Sequence, residues 1–485
     1  MADNGNQFDL EPPAAALAVG GGFVMQTVNT ALSIYSKAGN LLSGPTALNP
    51  FFGLPSAVEW DPVTGAPLQF GPFLADPKCY YDPDTARWFV TIFEADTDPA
   101  TFAWLGPTSV LIAVSQSPDP TGSFYLYQLD TTASGLPDQP LIGADAHGFY
   151  VSYNSYLFPD ANNPDFTFNG GEIIAISKSA LVNGTANTSV LFAGLTQAEG
   201  PGYSIQPATV PPGGRYESAQ RGTEYFLSAL DFYATLDNRI TVWAITGTRT
   251  LDNSTPTLAI QNIVVSSQVY GQPPLATQRD GARPLADLIA LGVFGPPVQE
   301  PPGLIDSNDD RMNQVVFAAG KLFGAVNTVV RSPNAPNRAA IAYFVVAPGW
   351  NKDTLTAQIT RQGYVAVNKN NLLFPGLGIN AAGKGLMTFT LVGPDYSPSA
   401  AFVRIDATLG VTGPVLWAGS GIGLRPYDSF LCYPEFTGSN VGRWGDYHTA
   451  VADADGSIWF TVEYVRNRPR TIFENWDTFI GTITP

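Results

Sequence analysis

The sequence predicts an all-β chain, and its composition gives the first two reasons. Among 485 residues there are 48 glycines and 41 prolines, while only 13% of residues are charged. Soluble domains average about 25% charged residues and about 12% glycine plus proline, so turns are unusually frequent here. Hydrophobic residues make up 45% of the chain and aromatic residues 12%, which is enough to bury a large core.

The third reason is the spacing of apolar runs. Short segments rich in β-branched and aromatic residues alternate with clusters of Pro, Gly, Asn and Asp, which is the pattern of strands joined by turns. The clearest runs are 87–93, 110–114, 148–153, 172–176 and 457–462. Turn signals stand at 82–84, 351–353 and 453–456. Helical periodicity of useful length is nearly absent, so strands dominate the prediction.

The strand pattern recurs in the same order along the chain. Units of strand, turn, second strand and outer strand begin near Asp76, Ile142, Ser218, Asp306, Phe374 and Arg443, and residues 20–40 resemble part of a seventh. Radial repetition of four-stranded sheets is a β-propeller, so we expect seven four-stranded blades around a central channel. A pair of β-sandwiches is the alternative, but the linker between two such domains is missing.

The domain prediction follows from this repeat. We expect residues 1–19 to be an N-terminal extension and residues 20–485 to be one propeller domain without a second domain. Closure of the ring is expected to pair residues 478–483 with strands from the N-terminus. Cys79 and Cys432 either form one long-range disulfide or remain buried thiols, because their spacing matches no metal motif.

Charge and hydropathy restrict the partners. With 24 basic against 41 acidic residues and a net charge of −17, a nucleic-acid or anionic-membrane surface is disfavoured. No apolar run reaches the ~18 residues of a membrane span. Low lysine content, an acidic surface and few thiols favour an extracellular or periplasmic setting, although the N-terminus does not have the pattern of a secretory signal. A polysaccharide, another glycan or a protein surface is the expected partner; the oligomeric state stays open.

Three stretches carry a resemblance to known proteins. They are residues 76–88, the segment 115–122, and the Arg-Trp-Gly-Asp-Tyr element at 443–447 followed by Trp459 and Glu463-Tyr464. Together they resemble a group of secreted, largely uncharacterised seven-bladed propeller-like proteins, a likeness that implies a fold and an extracellular setting. Residues 117–124 are also similar to a degenerate Asp-box of sialidase-type propellers, with a one-residue departure before the glycine. That similarity implies arginines around a substrate carboxylate, for which Arg221, Arg311 and Arg443 are candidates.

Polar residues at the starts of the units are the candidate site, because propeller sites lie at the mouth of the central channel. The two histidines of the chain both lie in such positions, as Asp145-Ala-His147 and Asp446-Tyr447-His448. Strand alternation would place each aspartate on the same face as its histidine. His448 is then the candidate general acid or base oriented by Asp446, with Tyr447, His147 and Asp145 as further catalytic candidates. The competing interpretation is a buried histidine that clamps two blades.

Charged residues at other unit starts extend the candidate set. Arg443, Arg311, Arg221, Asp76 and Glu224 are the substrate-binding candidates. Asp309 and Asp446 could contribute oxygen ligands to Ca²⁺, the cofactor that this residue set would suit, unless they are solvated turn acids. A pair of carboxylates drawn from Asp76, Asp145, Glu224, Asp309 and Asp446 would suit glycoside hydrolysis.

The functional hypothesis is therefore an extracellular carbohydrate-active enzyme, a glycoside hydrolase or polysaccharide lyase, with its site at the channel mouth. The alternative is a non-catalytic propeller that binds glycans or proteins, or that builds an assembly. An open polar pocket at the channel mouth favours the enzyme, and a mouth plugged by side chains favours the alternative.

Overall fold

The fold is taken from a computed structural model of the chain. It describes residues 10–61, 63–64, 66–160, 164–185, 189–230, 236–283, 285, 303–331, 336–434, 439–466 and 474–485. These residues form a mostly β structure, so the all-β prediction is confirmed at that level.

The strands follow one another along the whole chain. In the first half they are β1 (Ala16–Gly20), β2 (Phe23–Val28), β3 (Ala31–Ser36), β4 (Leu41–Ala47), β5 (Val58–Trp60), β6 (Pro67–Phe70), β7 (Phe73–Asp82), β8 (Arg87–Thr97), β9 (Trp104–Ser115), β10 (Phe124–Asp130), β11 (Leu136–Ala144), β12 (Gly148–Leu157), β13 (Thr167–Ser177), β14 (Ser189–Phe192), β15 (Thr196–Gln197), β16 (Gly200–Pro201), β17 (Gln206–Thr209), β18 (Thr223–Ala229) and β19 (Asp237–Thr246). In the second half they are β20 (Ala259–Tyr270), β21 (Leu304–Ile305), β22 (Met312–Ala318), β23 (Lys321–Val330), β24 (Arg338–Asn351), β25 (Thr354–Val365), β26 (Asn371–Ile379), β27 (Lys384–Gly393), β28 (Tyr396–Asp406), β29 (Gly410–Trp417), β30 (Val441–Gly442), β31 (Thr449–Ala452), β32 (Ile458–Tyr464) and β33 (Asp477–Ile483).

Helices are short. The two α-helices of the described residues are α1 (Leu48–Phe51) and α2 (Lys178–Val182). Ser177 caps α2 by accepting a hydrogen bond from the backbone N–H of Ala180, which satisfies one of the free amides at a helix start. In the part of the chain that the structure covers, neither helix has the length or the apolar content to cross a membrane.

Consecutive antiparallel strands form the main sheets, which we call meanders 1 to 7. Meander 1 is β1–β4, meander 2 is β7–β10, meander 3 is β11–β14, meander 4 is β17–β20, meander 5 is β22–β25, meander 6 is β26–β29 and meander 7 is the three-stranded β31–β33. Parallel pairing of β11 with β17 and of β17 with β22 joins meanders 3, 4 and 5. Among the described strands, no sheet closes into a barrel.

The first strands of the meanders lie next to one another in a closed cycle. The contacts run from β1 to β7, β11, β17, β22, β26, β31 and back to β1. A repeated local feature accompanies these strands: a bulge shifts the register of β7 at Asp76, of β11 at Gln139 and of β26 at Phe374, and each of these residues has a positive φ. A bulge re-aims the side chains that follow it, so it decides which residues face the centre.

Asparagines hold some of these irregular positions in place. The backbone N–H of Asp76 donates to Asn29 Oδ1 at 2.8 Å, and that of Phe374 donates to Asn327 Oδ1 at 2.9 Å. The same contact joins Ser204 to Asn154 at 2.8 Å. In each case the asparagine belongs to the preceding meander, so neighbouring sheets are linked near the centre by a buried amide.

The hydrophobic core lies between successive meanders. Separate apolar clusters join meanders 1 and 2, 2 and 3, 3 and 4, 4 and 5, 5 and 6, 6 and 7, and 7 and 1. The last cluster packs Leu17 and Val24 against Val451, Trp459 and Ile480. Because the inner strands of each sheet are covered on both faces, they contain continuous buried runs, whereas outer strands such as β10 and β25 alternate with exposed residues.

Two sequence-based expectations are wrong in detail. The boundary at residue 19 falls inside β1, because residues 16–20 form the buried first strand of meander 1. Residues 478–483 pair with β32 in meander 7 and not with an N-terminal strand. Side-chain packing and single hydrogen bonds, such as that from Gln26 to Thr461 at 2.9 Å, join the two ends. The disulfide alternative also fails, since Cys79 and Cys432 are buried free thiols.

Candidate functional site

Charged side chains gather near the amino ends of the first strands. We call Asp76, Lys78, Asp138, Arg311, Arg443 and Asp446 the amino-end cluster. They come from β7, from β11 and from the segments that lead into β22 and β31. The bulges of β7 and β11 therefore position two of the carboxyl groups, and the loops before β22 and β31 supply both arginines.

Two carboxyl groups of this cluster are shifted toward the protonated form. Burial raises the pKa of Asp76 to about 8, and repulsion from Asp138 and Asp446 adds to the shift. Burial also raises the pKa of Asp138 to about 6, although Arg311 opposes the change. Close carboxyl groups in a poorly solvated site cannot all ionise. The cluster therefore favours a proton on at least one of these carboxyl groups, and the stronger upward shift is at Asp76.

Lys78 is the buried cation of the cluster. Its side chain is 9% exposed, and its Nζ lies 2.8 Å from the centroid of the Tyr447 ring. Burial lowers the pKa of Lys78 to about 7, while Asp76 opposes that change. The Tyr447 hydroxyl donates a hydrogen bond to the carbonyl oxygen of Pro77 at 3.0 Å. Tyr447 is thus a packing and cation–π partner of Lys78, and its hydroxyl is not directed to solvent.

Arg443 is the solvent-accessible cation. Its side chain is 48% exposed, and its Nη2 donates to both carboxylate oxygens of Asp446, at 2.7 and 2.9 Å. Asp306 Oδ2 lies 3.7 Å from Arg443 Nε. The guanidinium is therefore oriented by carboxylates while much of it faces solvent, where a ligand can reach it.

The element at 443–447 owes this presentation to its neighbours. Trp444 is fully buried, and its Nε1 donates to Thr390 Oγ1 at 3.1 Å. Gly445 has a φ of +73°, and an added Cβ would lie 2.4 Å from Phe374. Its N–H donates to Glu463 Oε2 at 2.7 Å. An anchored tryptophan and a glycine that must adopt positive φ thus turn the charged residues on either side toward the cluster.

Arg311 is enclosed by its partners. It donates to both carboxylate oxygens of Asp309 at 2.8 Å, and its Nη1 donates to Gln139 Oε1 at 2.5 Å. Tyr203 donates its hydroxyl proton to Asp309 Oδ2 at 2.7 Å. Burial acts to raise the pKa of Asp309, but Arg311 and Tyr203 together hold it below the usual range. This is a bidentate pair that positions Arg311.

The calcium hypothesis receives no geometric support from these contacts. Both carboxylate oxygens of Asp309 accept hydrogen bonds from Arg311, and both of Asp446 accept from Arg443. Among the residues that the structure describes, no group of three or more His, Cys, Asp or Glu side chains is arranged to hold a metal ion. Ca²⁺ binding therefore stays a prediction of the sequence.

His448 does not pair with Asp446 as strand alternation suggested. The positive φ of Asp446 breaks the alternation, and β31 begins only at Thr449. The His448 ring is buried, with Nδ1 2.9 Å from the carbonyl oxygen of Phe374. Burial lowers its pKa to about 3, so the ring stays neutral. It lines a cavity that strands of all seven meanders surround.

Other expected site residues lie at the opposite ends of the first strands. Asp145 Oδ1 accepts hydrogen bonds from the backbone N–H groups of His147 and Gly148, at 2.8 and 2.6 Å, which forms a turn and not the expected side-chain pair. Glu224 accepts from the Ala208 N–H at 3.1 Å, and burial with repulsion from Asp145 raises its pKa. Arg221 is exposed on a 3₁₀ turn before β18.

The site residues predicted from the sequence therefore fall into two groups at opposite ends of the first strands. Asp76, Arg311, Arg443, Asp309, Asp446 and Tyr447 lie in or against the amino-end cluster, whereas Asp145, His147, Glu224 and Arg221 lie at the other end. Sequence reasoning missed Lys78 and Asp138. The available signal was an aspartate or lysine beside proline at a unit start, as in Asp76-Pro-Lys78 and Pro137-Asp138. The predicted start of the third unit at Ile142 lies after Asp138 and so excluded it.

Comparison with known proteins shows distant structural similarity only. No protein family and no curated protein matches the chain. A mutant of the Synechocystis apocarotenoid oxygenase has 12% identity and a TM-score of 0.36, over 84% of this chain and 72% of that one. A protein of unknown function from Dyadobacter fermentans has 11% identity and a TM-score of 0.35, over 84% and 95%. A GH43 endo-arabinanase from Bacillus licheniformis has 11% identity and a TM-score of 0.26, over 72% and 98%. Because all three TM-scores are below 0.5, these likenesses do not indicate a function for this chain.

Proposed function

We propose that the protein is a glycoside hydrolase built on a seven-bladed β-propeller, with its active site at the amino-end cluster. Support for the propeller comes from the cyclic contacts of the first strands and from the apolar clusters between successive meanders. In this arrangement each meander is one blade, and the blade of β31–β33 has three strands. The amino-end cluster then stands at one mouth of the central channel, where loops and first strands converge.

The observation that carries the hydrolase proposal is the meeting of two carboxyl groups, Asp76 on β7 and Asp138 on β11, in one poorly solvated cluster with Arg311 and Arg443. The pKa of Asp76 is raised to about 8 and that of Asp138 to about 6. Glycoside hydrolysis needs one carboxyl group that is protonated and one that is ionised at the same pH. Asp76 is then the general acid that protonates the glycosidic oxygen, and Asp138 is the carboxylate that activates water or attacks the sugar carbon.

The remaining charged groups have distinct roles in this proposal. Arg443 faces solvent beside the two carboxyl groups and suits an acidic or hydroxyl-rich sugar, because guanidinium binds carboxylates in a bidentate manner. Arg311 is held by Asp309 and acts on Asp138 through its charge. Lys78 loses its proton easily in its buried position. It can therefore accept a proton from Asp76, or return one to it, between turnovers.

A setting outside the cytoplasm is part of the same proposal, because extended polysaccharides occur there. A polysaccharide lyase would use the same cluster differently: Arg443 would neutralise a uronate carboxylate while a base removed the neighbouring proton. The two reactions leave different products, since a lyase creates a carbon–carbon double bond in the sugar and a hydrolase does not.

A panel of plant, algal and bacterial glycans tests the proposal, with reducing ends and ultraviolet absorbance measured in parallel. We expect release of reducing ends by the native protein, and a loss of about 10²–10⁴-fold in kcat for Asp76→Asn. Glu224→Gln is the matched control, because Glu224 is equally buried and its pKa is also raised, yet it lies at the other end of the strands. If the Asp76→Asn variant is as active as the native protein, Asp76 is not the general acid. No turnover of any glycan, together with glycan or protein binding, would favour the non-catalytic alternative.

A further inference from the structure

The central channel contains a cavity that the proposed catalytic site does not use. Its volume is about 80 Å³, and strands of all seven meanders line it. The lining runs from Lys78 and His448 to Pro212 and Ala452 at the carboxyl ends of the first strands. Apart from Lys78, no residue of the amino-end cluster lines the described cavity. The charged cluster therefore covers one end, and the partly exposed residues Tyr81 and Val451 mark an opening at the other.

Three buried side chains that line this space each have a polar atom without a hydrogen-bond partner in the described part of the chain. His448 Nε2, Asn313 Oδ1 and Gln206 Oε1 have no hydrogen-bond partner among the described residues, and their side chains are 1%, 3% and 4% exposed. The three residues come from three different meanders and all line the cavity. Buried polar atoms without partners are costly, so a molecule that satisfies them is expected in the channel.

The chemistry of these atoms is set by their other contacts. The carbonyl oxygen of Phe374 can only accept, so His448 Nδ1 carries the proton and Nε2 is an acceptor. Gln206 Nε2 donates to the Pro207 carbonyl at 2.9 Å, which leaves its Oε1 as the acceptor. His448 and Gln206 therefore present acceptors, and the unpaired atom of Asn313 is also its amide oxygen, so a ligand at this site must supply donors.

Lys78 decides between the two classes of donor. An ammonium ligand has only donors and cannot accept a hydrogen bond from Lys78, which lines the same cavity wall. A hydroxyl group can donate to the acceptors and accept from Lys78 Nζ in return. The remaining wall is apolar, with Ala18, Ile142 and Val315 among its residues.

We propose that the channel is a binding site for a small hydroxylated molecule with an apolar body, which enters from the carboxyl ends of the first strands. Its hydroxyl groups bind His448, Asn313 and Gln206, and its carbon chain lies against the apolar wall. An apolar cavity of about 150 Å³ takes benzene. About 80 Å³ therefore accommodates a short polyhydric alcohol or the end of a longer one.

Titration of the whole protein with propylene glycol, followed by calorimetry or by chemical-shift changes, tests this site. We expect saturable binding, and n-propylammonium at the same concentration should not bind in the channel. His448→Phe should weaken binding by about five- to tenfold, the effect of losing one hydrogen bond. His147→Phe is the matched control, since the second histidine of the chain does not line the cavity. If His448→Phe does not fold, Asn313→Leu removes a second acceptor and should weaken binding similarly.

Two results would overturn the proposal. One is a crystal soaked in propylene glycol whose channel contains only ordered water, which would show that water satisfies the three acceptors. The other is affinity that stays the same in both channel variants, or equal binding of n-propylammonium. Neither result bears on the hydrolase proposal, which depends on Asp76 and Asp138 at the opposite mouth.

Discussion

Glu11 makes the folding stability depend on pH in a direction that is unusual for a carboxyl group. Its side chain is 7% exposed, and burial, with repulsion from Glu474, raises its pKa from 4.5 to about 8. Between pH 4.5 and 8 the folded protein therefore holds a proton that the unfolded chain has released. The folded state then binds more protons than the unfolded state, so stability falls as pH rises through this range and levels off above it.

The size of the effect follows from the same pKa values. Each pH unit across this interval costs about 1.4 kcal/mol for one proton, so the fully developed loss at Glu11 is on the order of 4–5 kcal/mol. Glu463 is completely buried and its pKa is also raised, so it adds a decline of the same sign. Both acids lie near the 443–447 element, so that region is expected to loosen first at high pH.

The assay is urea denaturation at a series of pH values from 5 to 9, for the native protein and for Glu11→Gln. Glutamine is uncharged in both states, so the variant should lose much less stability as pH rises and should exceed the native protein above pH 8. Glu59→Gln, at an exposed position, is the control and should follow the native curve. A Glu11→Gln curve parallel to the native one would refute the reasoning that burial holds the proton.

Three further predictions concern catalysis, an ion pair and the thiols. On a substrate found by the glycan panel, kcat/KM should rise with a pKa near 6 and fall with a pKa near 8, from Asp138 and Asp76; a profile that is flat between pH 5 and 9 contradicts the assignment. Lys178→Met should lower the free energy of unfolding by about 3–5 kcal/mol, because it leaves buried Asp82, whose Oδ1 lies 3.0 Å from Lys178 Nζ, without its cation. Urea denaturation at pH 7 measures this loss. A loss below ~1 kcal/mol would show that the ion pair does not stabilise the fold. Cys79 and Cys432 should react with a thiol reagent only after unfolding, with two thiols titrated per chain; a count of zero would indicate a disulfide between them.

The distinction between strand content and strand position explains what the sequence can predict. Runs such as residues 87–93 and 110–114 lie within β8 and β9, because β-branched and aromatic residues pack well on a sheet covered on both faces. The N-terminal strand has no such run. Residues 16–20 include only one β-branched and no aromatic residue and follow two prolines, so their pattern favours an extension although they form the buried β1.

The candidate site is predictable only in part. Asp76, Arg443 and Asp446 are polar residues at unit starts, and they do meet. Alternation predicts Asp446 and His448 on one face, but a positive φ at Asp446 separates them. Bulges have no reliable sequence signature when the residue is not glycine, since their backbone is stabilised by tertiary contacts such as those from Asn29 and Asn327.

The sequence by itself determined the class of the protein: frequent turns, low charge and recurrent apolar runs are local properties, and they require many short strands packed face to face. The three-dimensional arrangement alone decided which charged residues share a site. Asp76, Asp138 and Arg443 are far apart along the chain, and only the cyclic contact of the first strands brings them together. The pKa values of the two carboxyl groups depend on burial and on one another, so no local pattern could show which of them is shifted more. The glycines and prolines make the turns, and the bulges in the first strands direct the side chains of the candidate site.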